Sequence, residues 1–287
     1  MSFIETITEI RATEPGRIAA ALAARPRGNL GHAGALMVIA CDHPARGALG
    51  AGPEPMAMAS REELLQRCVA ALSRPGVNGF LGTADLIEDL ALLGALDGKL
   101  VWGSMNRVGL QGASFEMDDR FAGYDARGIE SSGLDGGKML TRINYADPHT
   151  ADTLEATAHA VDELSERHLT AMIEPFISSW EDGRIVNDLS PEAVMKSMAI
   201  ASGLGRTSAG TWLKLPCVPE MPRVMEATTL PSLILGGEVS SDPEGTRAAW
   251  AEALALPNVR GLVIGRSLLY PPDDDVEGAV DQAVELL

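Results

Sequence analysis

The sequence predicts an α/β protein: a single (β/α)8 TIM barrel preceded by an N-terminal helical extension. Eight short segments read as strands, at 35–41, 76–82, 98–104, 136–144, 169–175, 211–216, 231–238 and 259–266. They are near-continuous apolar runs, as expected of strands covered on both faces. Segments of helical spacing separate most of them, which is the alternation of parallel βα units. The 287 residues fit one such barrel without an internal linker. No GxGxxG follows the first strand, which disfavours an open dinucleotide-binding sheet.

The boundaries expected are a helical cap over 1–30 and the barrel over 31–287. Ile4, Ile7, Ile10, Ile18 and Leu22 recur at helical spacing, and Pro15-Gly16 divides them into two helices or a helix and a turn. The first strand runs into Asp42-His43-Pro44-Ala45-Arg46-Gly47, a turn-rich loop. Ser60 followed by Glu63 reads as a capping box opening the next helix. Thr83-Ala84-Asp85 leads into a helix over 85–96, and a long polar loop over 109–127 follows the third strand. A loop of that length in a compact domain is usually functional or mobile. Further helices are expected over 150–167, from Ser190-Pro191-Glu192, over 243–255 and over 275–287.

A formal net charge of -17 argues against a nucleic-acid partner, because nothing offsets phosphate repulsion over a broad surface. A small phosphorylated substrate needs only a few local donors. Cys41, Cys68 and Cys217 form no CxxC, and reduced thiols in a cytoplasmic protein are expected. Residues 1–25 carry Glu5, Glu9 and Glu14 and do not read as a signal peptide. No stretch reaches the roughly 18 apolar residues of a membrane helix. The five histidines show no metal-ligand spacing, so neither a metal nor a cofactor is expected. Association into homo-oligomers is compatible with the fold, but no apolar stripe specifies an interface.

The chemistry is expected at the C-terminal ends of the strands. The chain has only four lysines, and two of them, Lys138 and Lys214, lie inside predicted strands. Burial pushes a lysine toward its neutral amine, a nucleophile for carbonyl carbons, and a second cation nearby adds to that push. Lys214, in Trp212-Leu213-Lys214-Leu215-Pro216, is the candidate for imine formation, and Lys138 is its rival. Asp42 and Glu174 close strands and are candidates for proton transfer, or else caps and ion-pair partners. Gly236, Gly237, Gly265 and Arg266 end the last two strands, where barrels often hold phosphate through exposed backbone N–H groups. Arg107 and Arg142 read as clamps for a second anionic group or as structural partners.

These residues resemble the class I aldolase superfamily of deoxyribose-phosphate, tagatose-bisphosphate and bacterial and archaeal fructose-bisphosphate aldolases. The resemblance rests on Ile39-Ala40-Cys41-Asp42-His43, Gly137-Lys138-Met139-Leu140, Met172-Ile173-Glu174-Pro175, Trp212-Leu213-Lys214-Leu215-Pro216, Leu235-Gly236-Gly237 and Ile264-Gly265-Arg266. The chain is more closely similar to an actinobacterial branch associated with inositol catabolism. The tagatose-bisphosphate type implies that Lys214 forms the Schiff base and that Asp42, Lys138 and Glu174 line the site. It also implies that the last two strand-end loops hold phosphate. In deoxyribose-phosphate aldolases a second lysine sits near the seventh strand's end, where this chain has Gly236-Gly237. The expected activity is carbon–carbon cleavage or formation on a phosphorylated sugar or sugar acid. The alternatives are a transaldolase- or thiolase-like transferase and a non-catalytic sugar-phosphate-binding protein.

Overall fold

The computed structural model of the chain describes residues 2–32, 34–240 and 242–287. Eight parallel strands close on themselves: β1 (Leu36–Cys41), β2 (Gly79–Gly82), β3 (Leu100–Ser104), β4 (Gly136–Ile143), β5 (Thr170–Glu181), β7 (Thr211–Pro216), β8 (Ser232–Leu235) and β9 (Val259–Ile264). Their order around the sheet is β4-β3-β2-β1-β9-β8-β7-β5, and a β4–β5 pairing closes it. A ninth strand, β6 (Arg184–Asn187), pairs antiparallel with the end of β5. This hairpin was not expected from the sequence. Its turn is Asp182-Gly183, both residues at positive φ (48° and 75°), as a two-residue hairpin loop requires.

Side-chain parity divides the core in two. On β1, Leu36, Val38 and Ala40 join Leu81, Trp102, Met172, Leu233 and Val263 inside the barrel. Met37, Ile39 and Cys41 instead pack outward against the helices. The period of two in a strand dictates this split. Trp102 fills much of the lower interior, with its Nε1 donating to Thr170 Oγ1 at 2.8 Å. A Cβ on Gly79 or Gly136 would lie 3.2 or 2.9 Å from that ring, so small residues make room for the indole.

The N-terminal helices α1 (Phe3–Thr13) and α2 (Gly16–Ala24) bury Ile7, Ile10 and Leu22 against the body. Behind them the buried Arg25 donates to the carbonyls of Leu96, Lys99 and Gly133, which ties the extension to the barrel. The helix α3 (Arg61–Ser73) has Ser60 as its cap, accepting from Glu63 N at 3.3 Å. The capping box is not completed, because Glu63 turns its carboxylate to Arg67 Nε at 2.9 Å. The helix expected at 85–96 is shorter, α4 (Ala84–Leu92). The last predicted strand stops at Ile264, and Arg266 opens a short helix, Arg266–Leu269. Among the described residues, no helix is long and apolar enough to cross a membrane.

Candidate active site

The interior parity of the strands delivers the site. Asp42 continues the inward series of β1, Lys138 and Leu140 lie on that face of β4, Glu174 on β5 and Lys214 on β7. All of them line one cavity of about 820 Å³ at the C-terminal ends of the strands. Among the described residues, seven lysines and arginines line it against four carboxylates, so the mouth is locally positive in an acidic protein.

The centre is a buried cluster of alternating charge. Glu174 binds both lysines, Lys138 Nζ on Oε2 at 2.5 Å and Lys214 Nζ on Oε1 at 2.6 Å. Lys138 Nζ also reaches Asp42 Oδ2 at 3.2 Å. That oxygen further accepts from Ser104 Oγ at 3.1 Å and Arg107 Nη1 at 3.2 Å, and Arg107 Nη2 donates to the Asp42 carbonyl. Burial acts to raise the Glu174 carboxyl, but Lys138 and Lys214 overcome it and hold the group at about 2. Asp42 behaves alike: burial is outweighed by Lys138 and Arg107, and the carboxyl is well below its usual range. Lys214 is lowered, chiefly by burial and further by Lys138, against the pull of Glu174. The same side chain thus has a carboxylate to hold it and a weakened grip on its proton.

His43 sits beside this cluster, its Nδ1 buried without a hydrogen-bond partner and 3.9 Å from Asp42 Oδ1. Burial lowers it to about 3, so it is neutral at physiological pH. Gly265 lies against it, since a Cβ there would come 3.3 Å from the His43 ring. Gly237 adopts a positive φ of 68° and faces open space. Arg266 pairs with Glu238 at 2.8 Å; the arginine side chain is 12% exposed and the carboxylate 76%, so the acid can leave while the arginine stays. Ser267 Oγ, next in sequence, is buried without a partner.

The two remaining arginines are already engaged. Arg107 is committed to Asp42, and Arg142 Nη2 pairs with the buried Glu116 at 2.9 Å. Glu116 and Asp119 come from the long polar loop, which is not a loose flap. It carries both carboxylates into the barrel mouth, where Asp119 pairs with the buried Arg46 at 2.7 Å. Sequence reasoning passed over Arg46, Ser104, Glu116 and Asp119. Only the crowding of acids in a loop between two strands hinted at them. Among the described residues, no group of three His, Cys, Asp or Glu converges to hold a metal ion.

The chain is thus a closed (β/α)8 barrel with a buried lysine–carboxylate cluster at its strand ends. The chain belongs to the Cgl0159-like family, whose model matches residues 34–284. The crystal structure of Cgl0159 from Corynebacterium glutamicum is 55% identical, covers 99% of this chain and 96% of its own, and superimposes with a TM-score of 0.96. A Schiff-base-forming fructose-1,6-bisphosphate aldolase is similar at 17% identity and TM-score 0.65, over 94% of this chain and 99% of that one. The fructose-bisphosphate aldolase of Slackia heliotrinireducens is similar at 13% identity and TM-score 0.62, over 88% and 85% of the two chains. Among curated proteins, no sequence matches the chain.

Proposed function

We propose that the protein is a class I aldehyde-lyase that cleaves or forms a phosphorylated sugar or sugar acid through a Schiff base on Lys214. The observation that carries this reading is Glu174 holding Lys214 and Lys138 on opposite oxygens, at 2.6 and 2.5 Å. Neutral Lys214 adds to the substrate carbonyl, and the carbinolamine loses water to give an iminium. Glu174 supplies and receives the protons at that nitrogen and at the departing oxygen. In the cleavage direction the iminium accepts the electron pair of the breaking carbon–carbon bond, and the substrate hydroxyl gives its proton to the Lys138–Asp42 side of the cluster. This frees the hydroxyl-bearing fragment as an aldehyde and leaves an enamine on Lys214. The enamine carbon takes a proton back from the cluster to give an iminium, and addition of water to that iminium releases the second carbonyl product and returns the amine.

Gly236, Gly237, Gly265 and Arg266, which line the cavity, hold the phosphate. Glu238 swings away from Arg266 as the dianion enters. Arg107 orients Asp42, and Arg142, which lines the same cavity, is the proposed contact for a second anionic group. No cofactor enters this scheme. A keto-deoxy sugar acid phosphate from inositol catabolism is the substrate proposed. The free thiols of Cys41, Cys68 and Cys217 suit the cytoplasm.

Borohydride trapping tests the reading. The protein is incubated separately with dihydroxyacetone phosphate, acetaldehyde, malonate semialdehyde and pyruvate, then reduced, digested and analysed by mass spectrometry. An adduct on Lys214 is expected. An adduct on Lys138 would exchange the roles of the two lysines. No adduct with any of the four would overturn the aldolase reading in favour of a sugar-phosphate-binding protein.

A further inference from the structure

The ladder between β3 and β4 is finished by a side chain. The backbone register runs Trp102 to Gly136, Gly103 to Gly137 and Ser104 to Lys138, and Met105 N then donates to the Lys138 carbonyl at 2.9 Å. The next rung would pair Asn106 with Leu140. At Asn106, however, the chain leaves β4 and bridges to the returning segment at Phe121, while Gly123 N donates to the Met105 carbonyl at 2.8 Å. The Asn106 amide crosses the vacated rung instead. Its Nδ2 donates to the Leu140 carbonyl at 2.6 Å, and its Oδ1 accepts from Leu140 N at 2.9 Å.

Asparagine suits the place because its amide copies a peptide group, offering one acceptor and donors at the reach of a strand neighbour. Aspartate has no donor, serine reaches less far, and glutamine is one methylene too long. The amide is itself fixed. Nδ2 also donates to Asp119 Oδ2 at 2.9 Å, and Asp119 takes Gly109 N at 2.8 Å and Arg46 at 2.7 Å. Arg46 closes the ring by donating to the Asn106 carbonyl at 2.7 Å. Asn106, Asp119 and Arg46 are all buried.

Lys138 sits between the last backbone rung and this side-chain rung, so the direction of its side chain depends on both. We propose that Asn106, held by Asp119 and Arg46, is the positioning residue that aims Lys138 at Glu174 and Asp42. The inference rests on the aldolase reading above. The groups facing Lys214 are Glu174 from β5, Lys138 from β4, and Asp42 with His43 from the end of β1. Of these, Lys138 is the cation that most disfavours the Lys214 ammonium. If Lys138 retreats, Glu174 acts on Lys214 without that opposition, and the amine deprotonates at higher pH.

The experiment follows the rate of borohydride-trappable imine formation with dihydroxyacetone phosphate from pH 5 to 9, in the wild type, Asn106→Ser and Asp119→Asn. Asn106→Ser is expected to slow trapping at neutral pH about tenfold or more and to move the midpoint of its pH profile upward. The final extent of labelling per folded molecule stays unchanged. Asp119→Asn keeps the rung but loosens the ring, and is expected to shift both quantities in the same direction by a smaller factor, about threefold in rate. It also serves as the test if Asn106→Ser does not fold. Wild-type rate and midpoint in either folded variant, with only the labelled fraction reduced, would assign Asn106 a purely structural role and overturn the proposal. Absence of trapping in the wild type with dihydroxyacetone phosphate and with each of the other three donors would instead refute the aldolase reading on which it stands.

Discussion

Glu174→Gln is the sharpest probe of the cluster. The substitution keeps the shape of the side chain and removes the charge to which Lys138 and Lys214 are bound at 2.5 and 2.6 Å. Removing one partner of a buried ion pair costs about 3–5 kcal/mol, because the other charge remains buried. A lysine has a way out, since it can give up its proton. From an ordinary value of about 10.4, deprotonation costs about 4.6 kcal/mol at pH 7 but only about 1.9 kcal/mol at pH 9. Lys214 already lies below its ordinary value, so for this lysine both figures are upper bounds. The penalty for losing Glu174 is therefore capped, and the cap falls by about 1.4 kcal/mol for each unit of pH. Urea denaturation of wild type and variant at pH 7 and pH 9 reads it directly. The expected loss is about 3 kcal/mol at pH 7, shrinking to less than about 2 kcal/mol at pH 9. A loss that is the same at both pH values would refute the reasoning. So would one below about 1 kcal/mol at pH 7, since the lysines would then not be ammonium groups held by this carboxylate.

The wild type carries the complementary signature in acid. The Glu174 carboxyl is held at about 2 against an ordinary 4.5, so its contribution to stability is complete above about pH 4.5 and is lost as the pH falls toward 2. The acid limb of the stability curve should be shallower in Glu174→Gln. Lys214→Met should abolish borohydride trapping while circular dichroism and cooperative melting persist; an adduct at unchanged yield would reassign the nucleophile. Arg266→Gln should weaken inorganic phosphate binding about tenfold by calorimetry, the effect of losing one charge-assisted contact. Gly261→Ala should cost more than about 2 kcal/mol in chemical denaturation, because φ is 138° there and the new methyl would strike the Leu36 backbone, closing off the β1–β9 seam.

Much of this architecture was legible because strand burial leaves a strong mark. A segment such as Leu36–Cys41, buried at every position, can only be apolar throughout, and a charge at its end stands out. Asp42, Lys138, Glu174 and Lys214 were conspicuous for that reason, and the period of two then brings them to one cavity. The β5–β6 hairpin was equally readable in principle, since Asp182-Gly183 between Trp180 and Ile185 is a hairpin turn signal. The contents of the loop after β3 were not. Glu116 and Asp119 look like solvated acids in sequence, and their burial depends on Arg142 and Arg46, which lie 26 and 73 residues away along the chain. No local pattern encodes a pairing across that separation.

The same loop explains how an acidic chain presents a positive cavity. A carboxylate opposite an arginine lowers the cost of burying the guanidinium far more than it cancels its reach toward a ligand at the mouth. Arg46 and Arg142 are matched by loop acids on the wall, whereas Lys138 and Lys214 share Glu174 at the floor, and Arg266 is matched only by an exposed carboxylate. The pairing is thus tightest at Arg46 and Arg142 and loosest at Arg266, the proposed point of entry for an anion. Under the proposed function, a phosphate arriving at Gly237 and Arg266 would displace a weak surface pair, worth about 0–1 kcal/mol. The carbonyl end of the proposed substrate would then be carried toward the lysine pair, whose charges the protein has already arranged. Binding and reaction then draw on different parts of one electrostatic framework, which is why neutralising Arg266 should affect phosphate affinity, and removing Lys214 should affect trapping, independently of each other.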